Sequence, residues 1–322
     1  MSNRTRRLGN NPSASPENTL RFGNAKMLRR KIILSCLAGF VPTSYAATLR
    51  SKPKLPLRIG TTAVFLDEQL QLLNLWRHDL QDVLDREIVF VQKENYESIV
   101  KLLLNKSIDV AWICGFPYAL NSDKLRILVV PIYQSQPLYR SYLIVQETDQ
   151  ATRRISDLKD CVFGYSDPLS NSGYLVPRVQ LLQDNLDPSS FFRKTFYTYS
   201  HRKVVSAVAS GLANAGAVDG YVWDTIISQF PDWAKGARVA WKSPEYGFPP
   251  LVTRQDMDAS EFDAVQNALL TMSDRKRGNV ILSRLALDGF STGTDHQYNT
   301  IRELMKINRI ESASSKYKVG LR

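Results

Sequence analysis

The sequence has little cysteine and no group of residues spaced to hold a metal ion. Three cysteines occur in 322 residues, and no pair has the short spacing of a zinc or redox site. Cys114 and Cys161 each lie in an apolar, strand-like run. We therefore expect free, buried thiols at these two positions, with neither a structural disulfide nor a metal centre.

Cofactor motifs and membrane-spanning runs are also missing. No glycine-rich nucleotide loop and no flavin or pyridoxal signature occurs, so we expect no cofactor. The apolar run at 32–41 is about ten residues long, whereas a helix that crosses a bilayer needs roughly 20. This run is therefore too short to be a membrane anchor, and no second apolar run of that kind follows.

The positive charge of the chain is concentrated in its first residues. The 42 Lys and Arg residues exceed the 31 Asp and Glu residues, which gives a net charge of +11. Residues 1–46 carry eight of the basic residues and one acidic residue, so the rest of the chain has a surplus of only four. No basic stripe interleaved with aromatic residues follows, although a nucleic-acid surface would need one. We expect no nucleic-acid partner.

The N-terminal segment has the order of a secretory signal peptide. A basic stretch at 28–31 precedes the apolar run 32–41, and small residues follow at 44–47. We expect cleavage after residue 46 or 47 and export to the periplasm. The polar residues before this segment are unusual for a signal peptide, so Met27 is an alternative start of translation. Cys36 follows too short an apolar run for a lipoprotein signal, and we expect no lipid anchor.

Strands and helices alternate along the chain in two series. The first series consists of strands at 57–60, 88–91 and 110–114, with leucine-patterned helices between them. The second consists of strands at 161–165, 195–199 and 215–218, separated by helices at 174–183 and 202–210. Such alternation predicts an α/β fold in which each lobe has a mostly parallel sheet flanked by helices.

The apolar runs between and after these series predict how the lobes are joined. Runs at 127–133 and 141–146 lead out of the first series, and runs at 237–241 and 249–253 lead back to it. We therefore predict a discontinuous first lobe, a continuous second lobe and a two-stranded hinge with the ligand in the cleft between the lobes. The predicted bounds are 55–147 and 248–308 for lobe 1, 148–247 for lobe 2, and 309–322 for a polar tail.

A segment rich in hydrogen-bond donors lies between a predicted strand and a predicted helix. Its four central residues are Ser170, Asn171, Ser172 and Gly173. The first N–H groups of a helix have no partner within it and its dipole is positive there, so this segment is suited to hold an anion. Gly173 would let the backbone approach that anion closely. Alternatively, Ser170 or Ser172 simply caps the helix.

Two further polar residues follow strands of the second lobe. His201 begins the helix after one strand, and Asp219 ends the next. Ligands of open α/β sheets bind at this carboxyl edge, so both residues are candidates for the ligand site. Asp219 would accept a hydrogen bond from a protonated oxyanion or a ligand amine, or it would cap a helix.

The first lobe and the return crossing supply candidates for the opposite wall of the cleft. Thr61 and Thr62 end the first strand, Tyr118 follows the third, and Tyr246 lies near the return crossing. Each of them either contacts the ligand or is a packing residue.

Two motifs carry a resemblance to a known family. The pattern D-P-x-S-x-S-G-[FY]-L-V-P matches 167–177, and a strand–S-H–helix element ending in A-V-x-x-G matches 200–211. In these motifs the chain resembles the phosphate, phosphite and phosphonate substrate-binding proteins of ABC transporters, from about residue 57 to residue 305. The resemblance implies a type II periplasmic-binding fold.

The resemblance also implies roles for individual residues. Ser170, Asn171, Ser172 and His201 would hold the phosphoryl oxygens, with Tyr118 contributing from the other lobe. Asn171 stands where the family commonly has threonine, so an amide replaces a hydroxyl and changes the shape of the pocket.

The main hypothesis is a monomeric binding protein that captures a small phosphorus oxyanion for an ABC permease. Alternatives are a sensor that presents its closed form to a membrane receptor or kinase, and a binder of another ligand such as a sulfonate or a pyrimidine precursor. Ser172, His201 and Asp219 are the residue types of a hydrolytic triad. An enzyme is disfavoured because no G-x-S-x-G elbow is present.

Overall fold

The computed structural model describes residues 55–62 and 70–308. The predicted leader and signal peptide within 1–46, the alternative start Met27 and the predicted tail 309–322 lie outside these residues. Within them, no helix combines the length and the apolar character needed to cross a membrane.

Strands and helices alternate through most of the described chain. The strands are β1 (Leu57–Thr62), β2 (Ile88–Lys93), β3 (Val110–Trp112), β4 (Leu125–Ile132), β5 (Leu138–Gln146), β6 (Val162–Tyr165), β7 (Lys194–Tyr197), β8 (Ala215–Asp219), β9 (Ala237–Gly247), β10 (Leu251–Arg254) and β11 (Gly289–Ser291). The α-helices are α1 (Leu70–Leu84), α2 (Tyr96–Leu104), α3 (Gly115–Leu120), α4 (Val176–Gln183), α5 (His201–Ala209), α6 (Gly220–Gln229), α7 (Ala259–Leu270), α8 (Lys276–Leu285) and α9 (Asn299–Ile307).

The strands form two sheets, which confirms the predicted two-lobed α/β fold. The first sheet has six strands in the order β11-β4-β10-β3-β1-β2, and the second has five in the order β7-β6-β8-β5-β9. Both sheets are mixed and not mostly parallel as predicted, because the strands that lead out of and back into each series add antiparallel pairings. Strands β1, β2 and β3 pair in parallel, as do β6, β7 and β8, whereas the pairings of β4, β5, β9, β10 and β11 are antiparallel. The parallel part of each sheet corresponds to one predicted series.

Strand β5 lies in a different sheet from the one that its sequence position suggested. The predicted boundary at 147 placed it in the first lobe, but β5 pairs with β8 and β9 of the second sheet. No helix separates β4 from β5, so no local sequence pattern marks the change of sheet, and β5 is placed by its long-range antiparallel pairing with β8 and β9. By sheet membership, the second lobe begins at Leu138.

Two adjacent chain segments join the lobes, at 133–137 and 248–250. They are hydrogen-bonded to each other, because the N–H of Phe248 donates to the carbonyl of Pro137 at 2.9 Å. The Phe248 ring is fully buried and lies 5.9 Å from the ring of Tyr139 and 5.2 Å from that of Tyr221. The hinge is therefore a paired, aromatic-packed crossing, and it places the carboxyl ends of β1, β3, β6 and β8 along the boundary between the lobes.

Each lobe has an aromatic core of its own. In the first, the buried ring of Trp76 lies 6.2 Å from that of Trp112 and 6.3 Å from that of Phe290, and so joins α1 to the sheet. In the second, Phe163 stacks on Phe192 at 4.4 Å. Burial of side chains of this size is worth roughly 2–3 kcal/mol each, which makes the two sheets rigid supports for the residues at their edges.

Candidate functional site

The serine loop, which we define as residues 166–173, connects β6 to α4. It ends in a π-helical turn at Asn171–Leu175, and α4 follows at once. Ser170 caps this turn, because its Oγ accepts a hydrogen bond from the N–H of Gly173 at 2.9 Å. Of the two alternatives left open by the sequence, helix capping therefore describes the contact that Ser170 makes here, although its hydroxyl proton can still be donated elsewhere.

Gly173 is required by the tight packing of this loop. A Cβ atom at position 173 would lie 1.9 Å from Oγ and 2.8 Å from Cβ of Ser166, and rotation of the Ser166 side chain relieves only the first of these contacts. The N–H of Ser166 donates to the carbonyl of Gly173 at 3.3 Å, so the start and the end of the loop are drawn together. The predicted close approach at Gly173 is thus an approach of the loop to itself.

Asn171 and Ser172 are fully buried at the boundary with the first lobe. The backbone N–H of Asn171 donates to Sγ of Cys114 at 3.2 Å, and its Nδ2 donates to the hydroxyl of Tyr139 at 3.0 Å. Cys114 follows β3, so the serine loop contacts the carboxyl edge of the first sheet directly. The carbonyl of Ser172 accepts a hydrogen bond from Oγ of Ser141 at 2.7 Å, which fixes the loop against β5.

His201 and Asp219 meet at the carboxyl edge of the second sheet, as the sequence predicted. His201 is the first residue of α5 because Ser200 caps that helix, and its Nδ1 accepts a hydrogen bond from the backbone N–H of Asp219 at 3.1 Å. Burial lowers the pKa of His201 to about 3. The imidazole is therefore neutral near pH 7, and its proton sits on Nε2, which makes that nitrogen a donor.

The Asp219 side chain is a buried carboxyl at the start of α6. Its Oδ1 accepts the N–H of Tyr221 at 2.9 Å, so it caps the helix. Burial raises its pKa to about 8, and its charge contributes to the raised pKa of Cys114. At neutral pH the carboxyl is mostly protonated, and it then donates a hydrogen bond as well as accepting one. Asp219 thus lies near Cys114, at the point where Cys114 contacts the serine loop.

The first lobe brings two hydroxyls to its sheet edge, from Thr61 and Thr62 at the end of β1. Both residues are 1% exposed, and neither hydroxyl has a hydrogen-bond partner among residues 55–62 and 70–308. Within the same described residues, the serine loop holds three more buried atoms without a partner: Ser166 Oγ, Asn171 Oδ1 and Ser172 Oγ. Buried polar atoms are nearly always paired, so these unpaired hydroxyls at the sheet edges of both lobes make this region the candidate site for a polar ligand.

We call these residues the cleft site: the serine loop, Thr61, Thr62, His201 and Asp219. The buried polar side chains of the described chain include no lysine or arginine. The site offers an anion hydroxyls, a neutral imidazole, a carboxyl and the positive ends of α4 and α5. Within the described residues, no group of His, Cys, Asp or Glu side chains is arranged to hold a metal ion.

Tyr118 and Tyr246 have other contacts. The Tyr118 hydroxyl donates to Oδ1 of Asp295 at 2.7 Å, and its ring packs 4.8 Å from that of Tyr298. Tyr246 lies opposite Tyr139 in the β5–β9 pair, with the ring centroids 6.4 Å apart. Tyr118 is thus engaged within the first lobe and Tyr246 supports Tyr139. A direct ligand contact by either residue stays a prediction.

Sequence reasoning missed several residues that shape the site. Tyr139 and Cys114 are buried against Asn171, and Tyr139 lies close to the Ser172 side chain without a hydrogen bond of normal geometry. Asp167 accepts hydrogen bonds from the N–H of Leu169 at 2.7 Å and from that of Tyr96, the first residue of α2, at 3.2 Å. Asp167 therefore links the serine loop to the first lobe.

Burial raises the pKa of Asp167 to about 6, so its bond to Tyr96 is made by a carboxylate that protonates in mild acid. Its aspartate–proline pair was visible in the sequence. The contact with a helix 71 residues away was not.

Comparison with known proteins identifies the family. Residues 59–298 match the family model described as "ABC transporter, phosphonate, periplasmic substrate-binding protein". The chain is 26% identical to the phosphonates-binding periplasmic protein of Escherichia coli, over 77% of this chain and 76% of that protein. It is 23% identical to a probable ABC transporter phosphite binding protein of Prochlorococcus marinus, over 83% and 94% of the two chains.

Solved structures support the type II periplasmic-binding fold. A binding protein component of an ABC phosphonate transporter from Pseudomonas aeruginosa superposes with a TM-score of 0.72 at 22% identity, covering 81% of this chain and 89% of that one. PhnD1 of Prochlorococcus marinus, solved with methylphosphonate, gives a TM-score of 0.70 at 21% identity, covering 79% and 98%. Since the family model spans most of the described residues, the chain belongs to the periplasmic phosphonate substrate-binding proteins of ABC transporters.

Proposed function

We propose that this protein captures a small phosphorus oxyanion, namely phosphate, phosphite or a phosphonate, in the cleft site and delivers it to an ABC permease. The observation that carries the proposal is the set of buried, unpartnered hydroxyls of Thr61, Thr62, Ser166 and Ser172, which come from both lobes. An oxyanion offers several acceptors in a small volume, and hydroxyls on opposite walls supply the donors.

The mechanism is capture by closure. His201 would donate from Nε2, and the N-terminal turns of α4 and α5 would add their dipoles, so that an anion is held without a cationic side chain. Because the donors lie on both lobes, the ligand binds the closed form more tightly than an open one and shifts the equilibrium towards closure. The closed form is what the permease would recognise. We propose a monomer with one ligand site, exported to the periplasm.

The geometry favours binding without catalysis. In a hydrolytic triad a carboxylate orients the histidine, whereas Nδ1 of His201 accepts from the backbone N–H of Asp219. The pKa of His201, lowered to about 3 by burial, also makes it a poor general base at neutral pH. Ser172, His201 and Asp219 are therefore better suited to hold a ligand than to attack one.

A thermal-shift panel tests the proposal. The ligands are phosphate, phosphite, methylphosphonate, aminoethylphosphonate, sulfate and an alkylsulfonate. The proteins are the wild type, Ser172→Ala, His201→Ala and, as a matched control, Ser283→Ala on the exposed face of α8. A ligand at 100 times its Kd stabilises the fold by about 2.7 kcal/mol, so the melting temperature must rise.

We expect at least one phosphorus oxyanion to raise the melting temperature of the wild type and of Ser283→Ala, with the rise lost in the two site variants. If no phosphorus compound stabilises the wild type, the proposal is wrong. A shift with the sulfonate alone would replace it with a binder of another ligand class.

A further inference from the structure

Asn171 has one polar atom that the protein leaves without a partner. Its backbone N–H donates to Sγ of Cys114 at 3.2 Å, and its Nδ2 donates to the Tyr139 hydroxyl at 3.0 Å. The remaining atom, Oδ1, has no hydrogen-bond partner among the described residues, and the side chain is fully buried. The protein thus holds the backbone N–H and one of the two N–H groups of Nδ2, while the side-chain oxygen Oδ1 has no partner among the described residues.

This atom differs in chemistry from the other unpartnered atoms of the cleft site. The hydroxyls of Thr61, Thr62 and Ser172 can each donate or accept a hydrogen bond, but an amide oxygen only accepts. A fully deprotonated phosphonate also has acceptors only. It would therefore place one of its oxygens against Oδ1 without a proton between them, and a buried acceptor without a donor is costly.

We infer that Asn171 determines which protonation state of the ligand is bound: its Oδ1 accepts a hydrogen bond from a P–O–H group, so that the singly protonated monoanion is preferred. The inference rests on the proposed function. It assigns to Asn171 a specificity role, with Cys114 and Tyr139 as the positioning residues that accept from its backbone N–H and from one N–H of Nδ2.

The groups around the amide are consistent with a monoanion. Burial raises the pKa of Cys114 to about 11 and that of Tyr139 well above its usual value, so both are neutral. The other titratable groups of this region are Tyr96, whose pKa burial also raises, Asp219, His201 and Asp167. None of them carries a positive charge at neutral pH, so a second negative charge on the ligand would be buried without a counter-charge.

Binding titrations at two pH values test the inference. Kd for methylphosphonate and for inorganic phosphate is measured by calorimetry at about pH 6 and about pH 8.5, on either side of the second dissociation of such acids. Dimethylphosphinate serves as a comparison ligand, because it has one negative charge but a methyl group in place of the P–O–H. The proteins are the wild type, Asn171→Thr and, as a control with the same substitution, Asn267→Thr on the exposed face of α7.

We expect wild-type Kd to rise by roughly tenfold or more from the lower to the higher pH, the equivalent of one hydrogen bond to a charged group. Asn171→Thr should show a clearly smaller rise, since a threonine hydroxyl donates to an unprotonated oxygen, and Asn267→Thr should behave like the wild type. Titration of Asp167 and Asp219 changes Kd with pH in all three proteins. The difference in pH dependence between the wild type and Asn171→Thr therefore reports the effect of Asn171 alone. At the lower pH, dimethylphosphinate should bind the wild type at least about tenfold more weakly than methylphosphonate.

Two results would overturn the inference. One is an equal pH dependence in the wild type and Asn171→Thr, or tighter wild-type binding at the higher pH, as expected if the amide nitrogen faced the ligand. The other is equal affinity of the wild type for dimethylphosphinate and methylphosphonate, a comparison that stands even if the variant does not fold. If the wild type binds neither methylphosphonate nor phosphate in either buffer, the proposed function fails instead.

Discussion

Replacing Gly173 by alanine should disrupt the serine loop. The new Cβ would lie 1.9 Å from Oγ and 2.8 Å from Cβ of Ser166, and 3.1 Å from Oγ of Ser170. Rotation of the Ser166 side chain can relieve the contact with Oγ, but the contact with Cβ is relieved only by a shift of the buried loop itself. Overpacking of this kind typically costs about 1–3 kcal/mol, and we expect a loss of about 2 kcal/mol in the free energy of unfolding.

Urea denaturation measures this loss, and Gly164→Ala is the matched control. Gly164 lies in β6, the strand that leads into the loop, and a Cβ there would meet its nearest atom at 3.6 Å, an ordinary contact. We expect Gly164→Ala to leave the stability unchanged or to raise it by up to about 1 kcal/mol, through the smaller entropy of the unfolded chain. Adding Ser166→Gly to Gly173→Ala removes both close contacts and should recover part of the lost stability.

Ligand affinity should also be lower in Gly173→Ala than in Gly164→Ala. Because Ser166 opens the loop that holds Asn171 and Ser172, its displacement should weaken binding of the phosphorus oxyanion by roughly tenfold or more in Gly173→Ala. Equal stability and equal affinity in Gly173→Ala and Gly164→Ala would refute the packing argument for the loop.

Three further predictions concern the described residues. Arg275→Ala should lower the free energy of unfolding by about 3 kcal/mol, because the buried carboxylate of Asp79 loses its partner. The Asp79 side chain is 3% exposed and lies 2.6 Å from the Arg275 guanidinium. A loss below about 1 kcal/mol in urea denaturation would contradict this. The pKa of Asp219 is raised in the fold to about 8, so the folded state binds an extra proton and the contribution of Asp219 to stability falls as the pH rises from about 4 towards 8. The stability of the wild type relative to Asp219→Asn should therefore fall over this interval in urea denaturation, and parallel stability curves would exclude a buried titrating carboxyl. Both cysteines are free, as expected, but Cys161 is only partly buried, which corrects the expectation of a buried thiol there. Its thiol should react with a thiol reagent at least about tenfold faster than the buried thiol of Cys114, whose pKa burial raises to about 11. Mass spectrometry of partly labelled protein identifies the first site, and preferential labelling of Cys114 would contradict the assigned burial.

The fold was predictable where the sequence alternates between short apolar runs and helical periodicity. Each parallel strand follows a helix or leads into one: β1, β2 and β3 in the first sheet, and β6, β7 and β8 in the second. This local pattern was enough to predict both lobes. Strand β5 was assigned to the wrong lobe because no helix separates it from β4. Its partners, β8 and β9, are chosen by packing at long range.

The candidate residues at the sheet edges were predictable, but the contacts between the two lobes were not. Ser172 and His201 lie in segments that follow strands of the second lobe, and Asp219 ends one of its strands. The carboxyl ends of neighbouring parallel strands meet at one edge of a sheet. The contacts of Asn171 with Cys114 and Tyr139 cross the boundary between lobes, and no local periodicity encodes such a contact. Whether Ser170 would cap the helix also depended on the exact geometry of the π-helical turn.

A crystal structure of the protein grown with methylphosphonate tests the central claim most directly. We predict that the phosphonate oxygens lie between the two lobes, within about 3 Å of Ser172 Oγ, of His201 Nε2 and of the hydroxyl of Thr61 or Thr62. A phosphonate bound elsewhere on the molecule, with these hydroxyls still lacking a partner, would contradict the account.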